Sequence, residues 1–202
     1  MKGLFVTGTD TGVGKTFVSC ALVRAARVGG HRVFAFKPIE TGCPAGAWGE
    51  DQRALAEASG DVLRGTYRLE QPAAPLVAAR AEGLEISLDR IAADFAWASS
   101  FDRVLVEAAG GWRVPITAKA DTADLARLCA LPVLVVARAG LGTINHSLLT
   151  IEAVQRDGLE IAGVVLSVHP EDDLEFAYSN ADEIRARARV EVHCSRELRA
   201  LL

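Results

Sequence analysis

Short apolar runs alternate with longer amphipathic stretches along most of the chain. The apolar runs predict buried strands at residues 3–6, 32–36, 104–107, 132–137 and 161–168. The stretches between them predict helices from Lys15 through VSCALVRAAR and over LDRIAADFAWA, TADLARLC and INHSLLTIEAVQR. Gly29 and Gly30 mark the end of the first helix, because glycine readily adopts the backbone conformation that ends a helix.

This order predicts an α/β fold in which a mostly parallel sheet carries helices on both faces. Strands that are apolar on both sides and separated by helices are typical of buried parallel sheets. In such sheets, ligands bind beyond the carboxyl ends of the strands. The loops at residues 8–14, 37–48 and 108–115 follow predicted strands, so we expect them to meet at one edge. Residues 60–83 show the least clear pattern.

The composition of the chain indicates which partners and which cellular compartment to expect. The chain has 202 residues, half of them hydrophobic, and a formal net charge of -4, which disfavours nucleic acid or anionic membrane as a partner. The four cysteines are scattered, as expected for free thiols in a reducing compartment. Met1 leads directly into an apolar strand, and no apolar run reaches the roughly 18 residues of a membrane span. We therefore expect a cytoplasmic protein with one domain over residues 1–202.

The strongest local motif is GTDTGVGKT, which runs from Gly8 to Thr16 between a predicted strand and a predicted helix. A glycine-rich loop in this position points backbone N–H groups at phosphate oxygens, and the helix dipole adds positive potential. In a phosphate-binding loop, Lys15 reaches the β- and γ-phosphates and the Thr16 hydroxyl binds Mg²⁺. The alternative is a tight strand-to-helix turn that merely contains glycines. Gly8 and Gly14 are separated by five residues, whereas the general motif has four.

Three charged residues near predicted strand ends are further candidates. Lys37 follows the second strand and is suited to neutralise charge in phosphoryl transfer, unless it is simply solvated. Glu107 ends the strand VLVE and suits Mg²⁺, with an exposed strand-end carboxylate as the alternative. Asp51, in GEDQRALAEA, is either a metal ligand or an ordinary helix cap, and the residues alone do not decide between these.

Four ordered motifs, GTDTGVGKT, KPIETG, VEAAGGWRVPI and LGTINHSLLTIEAV, resemble those of the dethiobiotin synthetases. The five-residue spacing in the phosphate loop is that family's own spacing. The resemblance covers residues 1–168 and implies a P-loop NTPase-like fold. It also implies an ATP- and Mg²⁺-dependent ligase of biotin biosynthesis that acts as a homodimer.

The resemblance implies roles for individual residues, carried over by position. Lys37 and Lys15 are the implied catalytic residues, and Thr16, Asp51 and Glu107 are the implied Mg²⁺ ligands. The implied nucleotide-binding residues are Thr11, Gly12, Val13, Gly14, Lys15, Thr16, Phe17, Asp51, Glu107 and Ser167. The implied substrate-binding residues are Thr41, Ala109, Gly110, Gly111 and Asn145, the last reaching the substrate carboxylate from the partner chain.

The implied reaction is a ring closure. An amine of 7,8-diaminononanoate takes up CO₂, and the resulting carbamate attacks the γ-phosphate of ATP to give a carbamic–phosphoric anhydride. The second amine then closes the ring of dethiobiotin and releases phosphate. Positioning and charge neutralisation are sufficient for these steps, so no covalent nucleophile is needed.

The chain departs from the family pattern at several places. Ala108 stands where the family usually has Gly, and Ala74, Pro75 and Leu76 replace a Ser-Pro-His triplet near the substrate chain. Ser167 replaces an Asn that contacts the purine, and the tail at residues 181–202 lacks a Gly-x-x-Pro turn. These changes lie mostly on the base-binding side.

Two other functions remain as alternatives. One is a different ligase of the same P-loop class, although such amide-forming enzymes usually carry a glutamine-hydrolysing domain for which 202 residues leave no room. The other is a dimerising ATPase that acts as a switch. Such switches commonly have an extra lysine early in the phosphate loop, where this chain has Thr9, Asp10 and Thr11.

Overall fold

The structure, a computed structural model, describes residues 2–198 as eight strands and eight α-helices. The strands are β1 (Gly3–Gly8), β2 (Val33–Phe36), β3 (Ile39–Thr41), β4 (Tyr67–Leu69), β5 (Arg103–Gly111), β6 (Val133–Arg138), β7 (Ile161–Ser167) and β8 (Val192–Cys194). The helices are α1 (Lys15–Val28), α2 (Glu50–Ser59), α3 (Pro75–Ala81), α4 (Leu88–Phe95), α5 (Thr122–Cys129), α6 (Thr143–Arg156), α7 (Leu174–Ala188) and α8 (Ser195–Leu198). A 3₁₀ segment, Ala96–Ser100, continues α4.

Six strands form one sheet in the order β2-β5-β1-β6-β7-β8, and all of these neighbours pair in parallel. β1 lies at the centre between β5 and β6. Its side chains alternate between the two faces, so Phe5 and Val6 are both fully buried but on opposite sides. This arrangement confirms the predicted α/β fold with a parallel sheet.

A separate hydrophobic cluster covers each face of the sheet. The larger cluster contains Phe5 and residues of α3 to α7, such as Ile91, Leu125 and Ile184. The smaller cluster contains Val6 and residues of α1, α2 and α8. Burying both faces explains why the strands are apolar along their whole length instead of alternating with polar residues.

Some predicted boundaries were wrong. β5 continues to Gly111, so much of the predicted loop 108–115 is strand; Gly8 pairs with Gly111 and satisfies backbone groups there. The predicted loop 37–48 contains β3, which pairs in parallel with β4 to form a second, two-stranded sheet. The unclear stretch 60–83 supplies β4 and α3. The predicted helix over residues 88–98 ends as α-helix at Phe95.

The loops after β1, β2 and β5 meet at one edge, as predicted, because the carboxyl ends of neighbouring parallel strands lie together. The four cysteines are buried free thiols. Among residues 2–198, no helix is both long enough and apolar enough to cross a membrane.

Candidate active site

The phosphate loop joins β1 to α1 without any side chain capping the helix. Gly14 is the N-cap residue, and its φ of 90° lies in the left-handed region that favours glycine. The space beside its Cα is filled by the Ser167 side chain, so a Cβ has no room there. The first N–H groups of α1 therefore have no side-chain acceptor on Gly14, and this is the arrangement that binds anions.

Lys15 lies within this loop and is 7% exposed. Its ammonium donates to the carbonyl oxygen of Asp10 at 3.1 Å. Burial lowers the pKa of Lys15, and the nearby charge of Lys37 lowers it further. Two positive charges held close together are favourable for binding a polyanion, because the anion relieves their repulsion.

Lys37 and Glu107 form a buried ion pair. Lys37 is 5% exposed and Glu107 is fully buried, with 2.8 Å between Lys37 Nζ and Glu107 Oε1. The Thr16 hydroxyl donates to the same Oε1 at 2.8 Å. Both the solvated-lysine and the exposed-carboxylate alternatives are therefore wrong. Glu107 also lies in the middle of β5 and not at its end, because β5 runs on to Gly111.

Asp51 completes this cluster from α2. Its carboxylate pairs with Lys37, and Gly49 occupies the N-cap position of α2. The cap alternative for Asp51 is therefore wrong for this structure. Burial alone would lower the pKa of Lys37, but the charges of Glu107 and Asp51 outweigh it and raise that pKa above its usual value. Burial opposes ionisation of Asp51, but Lys37 outweighs it and holds the pKa below its usual value.

The predicted Mg²⁺ ligands fit that ion chemically. Thr16, Asp51 and Glu107 offer only hard oxygen donors, and Glu107 Oε2 is buried with no hydrogen-bond partner. Within residues 2–198 no cluster of three or more His, Cys, Asp or Glu side chains is suited to a metal. A small donor set suits Mg²⁺, which usually binds one or two carboxylates and takes its other ligands from phosphates and water.

A cavity of about 400 Å³ brings most of the predicted site residues together. It is lined by Thr11, Gly12, Gly14, Lys15, Thr16, Phe17, Lys37, Glu40, Thr41, Asp51, Ala109 and Gly110. A cavity of about 470 Å³ adjoins it through Gly12, Gly14 and Phe17, and also contains Val13 and Ser167. A third, of about 390 Å³, shares Thr11 and Thr41 and is mostly apolar.

Three predicted residues line none of these cavities: Gly111, Asn145 and Glu107. Glu107 is fully buried but bonds to Thr16 and Lys37 in the first cavity. Gly111 pairs with Gly8 inside the sheet and does not line the first cavity. Asn145 is exposed on the first turn of α6, which contributes no residue to the first cavity. One chain therefore does not bring Asn145 to the other site residues.

Sequence reasoning missed two polar residues of the site. Glu40 is buried on β3, and its carboxylate accepts the backbone N–H groups of Asp51 and Gln52. Gln52 is also buried and donates from Nε2 to the Lys37 carbonyl oxygen at 3.0 Å. The sequence held one signal for Glu40. Gly49 precedes α2 and has no side chain to cap the helix, so a polar side chain from elsewhere has to accept its first N–H groups.

Comparisons with known proteins identify the relatives of this chain. The AAA-domain family model matches residues 2–198. A protein of Anaeromyxobacter dehalogenans named ATP-dependent dethiobiotin synthetase is 53% identical over 195 residues, covering 94% of this chain and 87% of that protein. A protein of Aromatoleum aromaticum with the same name is 44% identical over 170 residues, covering 80% and 76%. The chain belongs to the dethiobiotin synthetase family.

Membership of this family confirms the resemblance, and the alignment with the Anaeromyxobacter dehalogenans protein over 94% of this chain extends it beyond residue 168. Among solved structures, the MinC:MinD cell division protein complex of Aquifex aeolicus is similar with a TM-score of 0.58. The alignment covers 95% of this chain and 79% of that one. Sequence identity there is 15%, so this likeness shows the shared fold alone.

Proposed function

We propose that this chain synthesises dethiobiotin from 7,8-diaminononanoate, CO₂ and ATP in the cavity between the phosphate loop and Lys37. ATP-dependent dethiobiotin synthesis is the activity in the names of its relatives. The observation that carries the assignment of the site is the buried cluster of Lys37, Glu107 and Asp51 beside Lys15. Two cations and two carboxylates lie together there, which supports transfer of a phosphoryl group at this point of the cavity.

The phosphate loop binds the triphosphate of ATP. The N–H groups of residues 11–16 and the Lys15 ammonium hold the β- and γ-phosphates. Thr16, Asp51 and Glu107 hold Mg²⁺, which supplies neutralisation of phosphate charge when it is bound. Val13, Phe17 and Ser167 line the adjoining cavity, which is where the nucleoside extends from the phosphates.

Lys37 stabilises charge and does not remove protons. Its raised pKa keeps it an ammonium at neutral pH, so its positive charge stabilises the carbamate and the γ-phosphate. The carbamate oxygen attacks phosphorus, ADP leaves, and the second amine attacks the carbamoyl carbon and expels phosphate. The N–H groups of Ala109 and Gly110 and the Thr41 side chain hold the carbamate end in line for these steps.

The apolar cavity beside Thr11 and Thr41 accommodates the alkyl chain of the substrate. Its wall includes Pro72, Ala73, Ala74, Pro75 and Val114. Ala74 replaces the serine that the family usually has, so this wall offers methyl groups in place of a hydroxyl. Hydrophobic contact with the methylene chain therefore provides binding here.

A homodimer completes the substrate site in this proposal. Asn145 reaches the carboxylate of the substrate bound to the partner chain. Leu141 is 92% exposed and Leu149 is 57% exposed on either side of Asn145, which suits burial against a second copy. The cytoplasm is the proposed compartment, since the four cysteines are unpaired.

The test is phosphate release by the purified protein with Mg-ATP and bicarbonate, with and without 7,8-diaminononanoate. We expect release that depends on the diamine, together with dethiobiotin in the mass spectrum. Release that is indifferent to the diamine contradicts the proposal and favours another ligase or a switch. Light scattering on the same preparation tests the dimer, and Asn145→Ala is expected to raise KM for the diamine more than KM for ATP.

A further inference from the structure

Glu40 is a buried carboxylate that the proposed reaction does not use. It lies on β3, is 7% exposed and lines the main cavity. Its Oε1 accepts the N–H of Asp51 at 2.9 Å, and its Oε2 accepts the N–H of Gln52 at 2.8 Å. Both carboxylate oxygens are therefore bound to the start of α2.

These two bonds replace the cap that α2 lacks in its own sequence. Gly49 lies at the N-cap position and has no side chain that could accept a hydrogen bond from the first turn of α2. A Cβ on Gly49 would collide with the Glu40 carboxyl group, so the glycine leaves the space that the carboxylate occupies. A negative charge at a helix N-terminus is also favourable to the helix dipole. Glu40 thus anchors α2 from a different element of the fold.

We propose that Glu40 is a positioning residue that holds Asp51 in the geometry for binding Mg²⁺ with the nucleotide. This inference rests on the proposed function. The backbone N–H that Glu40 binds belongs to Asp51 itself, and the next residue, Gln52, holds the Lys37 carbonyl oxygen at 3.0 Å. The Glu40 carboxylate is therefore bonded directly to the backbone of Asp51 and, through Gln52, to the backbone of Lys37. Asp51 and Lys37 form an ion pair with each other.

A catalytic base is the competing role for a carboxylate in this cavity. It predicts loss of turnover with no change in metal affinity, because a base acts on the substrate amine. The positioning role predicts instead that the metal affinity itself falls. Metal binding weakens even when the diamine is absent, and turnover recovers when the metal concentration is raised.

The experiment compares Glu40→Gln and Glu40→Ala with the wild type, and uses Glu50→Ala as the matched control. Glu50 is an exposed acid in the same first turn of α2. Glutamine keeps the size of Glu40 but retains only one acceptor oxygen, so one of the two N–H bonds is lost. The readouts are Mn²⁺ affinity of the ATP-bound protein by electron paramagnetic resonance, without diamine, and ATP affinity in EDTA.

We expect Glu40→Gln to weaken Mn²⁺ binding about 10-fold and Glu40→Ala up to roughly 100-fold, the range for residues that orient metal ligands. ATP affinity in EDTA and all values for Glu50→Ala should stay at the wild-type level. If the alanine variant fails to fold by circular dichroism, the glutamine variant decides. Wild-type Mn²⁺ affinity in Glu40→Gln overturns the inference. A wild-type protein that turns over but binds no Mn²⁺ with ATP overturns it as well, whereas a diamine-independent wild type overturns the proposed function.

Discussion

Replacing Lys37 with methionine tests the electrostatics of the candidate site. Methionine preserves the length of the side chain but removes the ammonium that faces Glu107 and Asp51. Glu107 is fully buried, and its Oε2 has no hydrogen-bond partner, so the Thr16 hydroxyl is the contact that remains at its carboxylate. The variant therefore leaves a buried negative charge without its cation.

Breaking a buried ion pair by removing one partner typically costs about 3–5 kcal/mol in the free energy of unfolding. Asp51 is more exposed than Glu107 and can be solvated, so we expect Lys37→Met to lie near the lower value, about 3 kcal/mol. For a chain of this size, that corresponds to a fall in Tm of roughly 6–12 °C. The same variant should bind ATP yet lose diamine-dependent ring closure, because the transferred group loses one of its two lysines.

The assay is urea unfolding followed by circular dichroism, in EDTA, on wild type, Lys37→Met, Glu107→Gln and the double variant. Glu107→Gln removes the charge that Lys37 balances, so the double variant should recover part of the stability lost in Lys37→Met. We expect a coupling energy of at least about 1.5 kcal/mol, within the range for contacting residues. A loss below about 1 kcal/mol, or additive effects of the two changes, would refute the buried-pair argument.

Three further outcomes follow from the structure. Asp157→Ala should lower the free energy of unfolding by about 1–3 kcal/mol, because Asp157 Oδ2 accepts the Nε1–H of buried Trp112 at 2.7 Å. Asp157→Asn can still accept this hydrogen bond and should lose less stability in the same urea assay. Gly14→Ala should weaken ATP binding roughly 30-fold by calorimetry, since about 2 kcal/mol of backbone strain is added to a collision with Ser167; an unchanged affinity would contradict this. The stability contributed by the charge of Lys37 is present below about pH 10.4, its unfolded pKa, and is lost as pH rises through its raised folded pKa. The stability contributed by the charge of Asp51 is present above about pH 3.9, its unfolded pKa, and is lost as pH falls through its lowered folded pKa. The difference in unfolding free energy between wild type and Lys37→Met should therefore shrink as pH rises past about 10.4 and as pH falls past about 3.9, and a difference that stays unchanged across both limits would count against the pairing.

The local parts of the fold and site were predictable from sequence. The phosphate loop, the start of α1 at Lys15 and the span of α5 depend on residues close together in the chain, and the structure agrees with the prediction. The extent of β5 was not predictable in this way. Its glycine-rich end resembles a loop, and only pairing with β1 makes it a strand. β3 and β4 are similar, since each has three residues and is stabilised by the other.

The amino-acid sequence by itself determined the class of fold, the phosphate loop and, through its ordered motifs, the family of the chain. Local backbone preferences and the periodicity of apolar residues act within short windows, so they can be read without tertiary structure. Whether Lys37, Asp51 and Glu107 are solvated or paired with one another was decided only by the tertiary structure. Lys37 is 14 residues from Asp51 and 70 from Glu107 in sequence. Parallel pairing of β2 with β5 brings Lys37 and Glu107 together, and the Glu40 carboxylate holds α2 against them, because buried polar groups must find partners wherever the chain supplies them.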